Sequence, residues 1–78
     1  MVGFNLEEFI KKEGADDDSP HSKAYAGAIR QIYARYKTAS LGNLKRDLVF
    51  AQQAYSGNHY TTARCMVIQA LIRYHENE

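Results

Sequence analysis

The sequence predicts an all-α fold, a compact bundle of three to four helices with the fourth at its centre, and three observations predict it. Start and turn signals recur at Asn5, at Ser19-Pro20, at Ser40 and at Ser56-Gly57-Asn58. The apolar residues after each signal gather on one sector when every residue advances by the helical angle. The last of these segments is apolar nearly all round, a property of helices in the middle of a fold or in an oligomer interface.

The chain of 78 residues reads as one domain, with an acidic N-terminal helix and linker over 1–18 and a basic helical body over 19–78. A chain this short hides a modest share of its surface, so stability depends on good helix packing or self-association. A hydrophobic fraction of 45% is that of a folded protein. Tyr supplies six of the nine aromatics, and a tyrosine can lie half buried with its hydroxyl wet.

The first helix is predicted over residues 6–13. Asn5 caps it, Glu8 completes a capping box, and Phe4 and Phe9 stand at the two ends of a hydrophobic staple. Glu7 and Glu8 complement the positive end of the helix dipole, and Gly14 is a natural stop. Residues 14–19, Gly-Ala-Asp-Asp-Asp-Ser, read as a mobile acidic linker. The second helix is predicted over 20–38, with Pro20 in its first turn and Tyr25, Ile29, Ile32, Tyr33 and Tyr36 within about 100° of one another.

The third helix is predicted over roughly 41–56, capped by Ser40, with Leu41, Leu44, Leu48, Ala51 and Tyr55 inward. Phe50 and Ala54 fall on its far side, to be covered by another helix or left as an exposed apolar spot. The fourth helix is predicted over roughly 59–75. Tyr60, Ala63, Val67, Ala70, Leu71 and Tyr74 share one face, and Cys65, Ile68 and Ile72 widen it. It is expected to be packed by the second and third helices, with the first as a lid.

Ala51, Tyr55, Gly57, Tyr60, Ala63, Val67, Ala70 and Leu71 resemble the helix-turn-helix core of a tetratricopeptide unit, in which small residues let two antiparallel helices approach. The resemblance spans about a quarter of the chain. It lacks the earlier aromatic and Leu-Gly pair, and there is no second copy. The expectation is therefore a tight helical hairpin of no particular family.

Catalytic patterns are missing. No two of His21, His59 and His75 stand at i, i+4, no Cys/His ligand set occurs, and the five glycines are scattered singly. The three histidines read as ordinary surface residues. Asp16-Asp17-Asp18 lacks the glycine and distal glutamate of a calcium loop. The single Cys65 cannot form an internal disulfide and reads as a buried free thiol in a reducing compartment. No charged-then-apolar leader and no run of about 20 apolar residues is present, so the expectation is a cytoplasmic protein off the membrane. The chain reads as not an enzyme, with no metal and no cofactor.

Charge is sorted along the chain. Residues 1–18 set Lys11 and Lys12 against Glu7, Glu8, Glu13, Asp16, Asp17 and Asp18, a net of −4. Residues 19–75 set Lys23, Arg30, Arg35, Lys37, Lys45, Arg46, Arg64 and Arg73 against Asp47 alone, a net of +7. Glu76 and Glu78 bring the total to +1. Lys23, Arg30 and Lys37 form a stripe seven residues apart on a helix that carries no acid. A merely solubilising face normally mixes signs, so this one asks for an anionic partner or for the chain's own leader.

The expected partner-binding residues are Lys23, Arg30, Arg35, Tyr36, Lys37, Lys45, Arg46 and Arg73. Arg64 lies beside the apolar face of the fourth helix and is expected to pair with Asp47. Tyr36 and Tyr74, near helix ends, are the tyrosines expected to reach a ligand. These features predict a small helical regulator, adaptor or inhibitor (a phage-type blocker of host machinery is one such kind) that docks on an acidic protein or nucleoprotein surface. The alternative is direct nucleic-acid binding, against which stand the acidic leader, the moderate pI near 7.9 and the lack of a recognition helix. A homodimer built on the fourth helix and Phe50 is compatible with either.

Overall fold

Four side-chain caps divide the chain into four helices in the computed structural model, which describes residues 4–77; Glu78 of the acidic tail lies outside them. Helix α1 spans Leu6–Lys12, α2 Pro20–Tyr36, α3 Leu41–Gln53 and α4 His59–Glu76. Asn5, Ser19, Ser40 and Asn58 each accept a hydrogen bond from the backbone N–H three residues on, at 3.0, 3.1, 3.2 and 2.8 Å. Each such cap contributes about 1 kcal/mol by satisfying a donor that the helix leaves free. No strand occurs among the described residues.

The staple at α1 forms as expected, with the Phe4 and Phe9 ring centroids 5.7 Å apart. Phe4 does more than fix the entry of the chain. It stacks on Tyr33 of α2 at 5.5 Å and meets Tyr74 of α4 edge-on at 5.8 Å, so one ring fastens the lid to two other helices. The far end of α1 closes in a Schellman motif. Gly14 takes φ +74°, its N–H reaches the Lys11 carbonyl, and the Ala15 N–H reaches the Ile10 carbonyl. Ala15 and Ile10, the two apolar residues such a motif brings together, are both buried.

The linker is consequently not a loose tether. Ala15 belongs to the core, the Ser22 hydroxyl donates to the Gly14 carbonyl at 3.4 Å, and the Ser19 N–H donates to Asp17 Oδ1 at 2.9 Å. Expecting mobility from three aspartates overlooked the short apolar residue that anchors them.

Helix α4 is the centre of the bundle: α2 and α3 each pack on it and little or not at all on each other, and α1 rests on α2. Ile29 and Ile32 of α2, Leu44 of α3, and Val67 and Ile68 of α4 are the largest fully buried side chains. The fold is a slab of 35 × 30 × 16 Å. Helices α3 and α4 form an antiparallel hairpin, closed by the Lys45–Glu76 ion pair at one end and by a Thr62–Tyr55 hydroxyl contact at the other. Cys65 is buried, as expected.

Two inward assignments fail. Helix α3 stops at Gln53, three residues before the expected end, and Gly57 turns the chain with φ +83°. Tyr55 therefore lies beyond the helix, 54% exposed, and Tyr60 in the first turn of α4 is 42% exposed. Phe50, with Val49 beside it, remains uncovered on the outer side of α3. No helix among the described residues is long and apolar enough to cross a membrane.

Candidate binding surface

Helix α2 carries exposed Lys23 and Arg30 on one flank of its core residues Ala26, Ile29, Ile32 and Tyr36, a row that Lys37 continues at the C-cap, while exposed Arg35 stands on the other flank. The first half of this stripe is already met by the chain's own acids. Arg30 Nη2 lies 3.2 and 3.3 Å from the two carboxylate oxygens of Glu7, and a cavity of about 330 Å³ is lined by Glu7, Asp16, Asp17, Asp18, Lys23 and Arg30. The leader has folded back across the cations it was suspected of neutralising.

The two cations at the end of the helix are not met in this way. Arg35 Nη1 donates to the Tyr60 hydroxyl at 3.5 Å, and its guanidinium carbon stands 5.9 Å from the centre of the Tyr36 ring. Lys37 caps the end of α2 and has no carboxylate partner among the described residues. Tyr36 is only 6% exposed, which corrects its assignment as a ligand-reaching residue. It packs in the core and gives Arg35 a ring face to lie against.

The remaining candidates stand on other helices. Lys45 on α3 pairs with Glu76 at 3.1 Å, and Arg46 donates to Asn43 on its own helix at 3.1 Å. No contact joins either to the α2 stripe. Arg73 of α4 borders a groove of about 420 Å³ whose apolar floor includes Phe4, Phe9 and Met66. The expected cations are thus exposed but spread over three helices, and two of them, Arg30 and Lys45, are ion-paired within the molecule.

Arg64 does not pair with Asp47. The contacts of Lys45 with Glu76 and of Tyr55 with Thr62 set the register of the hairpin and put Asp47 level with about Ile72. At 1.5 Å per residue, that is roughly 12 Å along α4 from Arg64. The half-buried Arg64 keeps a buried Nε with no hydrogen-bond partner. It sits one turn beyond Tyr60, whose exposed hydroxyl accepts from Arg35. Tyr60, like Tyr55, is a residue that the sequence placed in the core and that the fold delivers to the surface.

Two titrating groups are displaced by their surroundings. The Ser22 hydroxyl, shared between the Gly14 carbonyl and Asp17, acts with Ser19 to hold the Asp17 carboxyl below its ordinary range. Burial first, and then the neighbouring Glu13 carboxylate, push the Tyr25 phenol up to about 12; its hydroxyl donates to Glu13 Oε1 at 3.2 Å. No protein-family model, curated protein or solved structure matches the chain.

Proposed function

We propose that this chain is a non-catalytic helical binding protein, a regulator, adaptor or inhibitor of the cytoplasm, that docks the end of α2 and the start of α4 on an acidic surface of a partner protein. The observation that carries this reading is the exposed Arg35 guanidinium at the end of α2, which meets only the Tyr60 hydroxyl and the face of Tyr36. A partner carboxylate at Arg35 would meet a planar donor suited to two-pronged binding. The leader on Lys23 and Arg30 supports the same reading, since this helix face accepts carboxylates even from its own chain.

The test compares immobilised poly-L-glutamate with single-stranded and duplex DNA oligonucleotides as probes. Salt-sensitive binding to poly-L-glutamate, lost in the Arg35→Glu, Lys37→Glu double variant, is expected. Both positions are exposed, so the variant keeps the core. Lack of poly-L-glutamate binding sinks the proposal. Tighter binding to DNA, with a salt slope of several phosphate contacts, hands the surface to nucleic acid instead.

A further inference from the structure

We propose that His21 and His59 form a binding site for a divalent transition metal, one that ties the first turn of α2 to the first turn of α4. The site is independent of the acidic-partner reading. The two imidazoles come from helices far apart in sequence, yet their ring centroids lie 4.4 Å apart with planes inclined at 69°. Two imidazoles sharing a tetrahedral zinc at about 2.0–2.1 Å have centroids roughly 5 Å apart. Side-chain rotation with a separation of under about 1 Å therefore converts this ring contact into a chelating pair.

The rings open onto a cavity of about 560 Å³ that is also lined by Glu13, Tyr25 and Thr62. No third His, Cys, Asp or Glu among the described residues stands close enough to complete a protein-only set, so water fills the other coordination positions. The cavity has room for it. Helix N-termini disfavour a cation, but two carboxylates oppose that effect. Glu13 borders the cavity, and Asp17 lies within electrostatic reach of His21. Imidazole suits zinc, nickel and copper, whereas the hard cations magnesium and calcium prefer an all-oxygen set.

A metal held by both rings links the first turns of two helices, and it stabilises the fold by mass action. The experiment adds Zn²⁺ or Ni²⁺ to the full chain and follows thermal unfolding by circular dichroism, with the affinity taken from calorimetric titration. A saturable rise in Tm of several degrees is expected. At least tenfold weaker binding is expected for His21→Ala and for His59→Ala separately, and none for His75→Ala or for the Asp16→Asn, Asp18→Asn pair. Binding that survives either of the first two substitutions places the metal elsewhere and overturns the site, as does the lack of any rise up to millimolar metal.

Discussion

Phe4→Ala separates the lid from the bundle. The Phe4 ring makes three aromatic contacts, with Phe9, Tyr33 and Tyr74, at 5.7, 5.5 and 5.8 Å. Each such pair contributes about 0.5–1.5 kcal/mol beyond buried area. Of these three, only the contacts with Tyr33 and Tyr74 reach beyond the α1 segment, so their loss weakens its docking by about 1–3 kcal/mol. At about 1.4 kcal/mol per factor of ten, amide exchange in α1 should accelerate roughly 5- to 150-fold. The five largest fully buried side chains all lie on α2, α3 and α4, so exchange in α4 should change far less. Native-state hydrogen exchange read residue by residue by NMR is the assay. Equal acceleration in α1 and α4 would show that α1 is an inseparable part of the cooperative core, and no acceleration in α1 would show that Phe4 does not fasten it.

Ile68→Ala, at a site with no exposure on the central helix, should cost about 2–5 kcal/mol and lower Tm by at least about 10 °C in a thermal melt. Gly14→Ala meets no atom within 4 Å, so only its left-handed backbone matters; a loss of about 1–2 kcal/mol is expected in urea unfolding. Tyr25 favours its protonated form in the folded state, so its contribution is whole below the ordinary phenol pKa near 10 and declines as pH rises towards about 12. In that window Tyr25→Phe should lose less stability than the parent, and the 295 nm titration of the parent should contain one late phenol that the variant lacks.

The local half of this fold was legible in the sequence, and the long-range half was not. A cap is a contact over three residues, so Asn5, Ser19 and Ser40 marked their helices correctly. The helical angle likewise put Ile29, Ile32, Val67 and Ile68 inside. It fails where a helix ends early, as at Gln53, because Tyr55 then follows the turn and not the helix. The angle also carries no information about register between helices. Asp47 and Arg64 looked like partners because Arg64 lies beside the apolar face and Asp47 is the one acid of the body, and the hairpin turn sets them apart. The meeting of His21 with His59 depends on which helix ends converge, which no local pattern encodes.

The folded-back leader sets how selective the basic face is. The Arg30–Glu7 pair is 51% and 72% exposed at its two side chains, and a pair so open to water contributes about 0.2–1 kcal/mol. Displacing it therefore lowers the affinity of an incoming anion by roughly 1.4- to 5-fold at most. That is too little to block an acidic protein surface that makes several charge contacts at once. It does suffice to discriminate against a lone carboxylate, whose own exposed ion pair is worth no more than the one it replaces. Glu7→Gln should consequently strengthen poly-L-glutamate binding by less than about fivefold, most at low salt. A gain of tens-fold would mean that Glu7 and the three aspartates act together as a true lock on α2, and the leader would then be a regulatory element and not a filter.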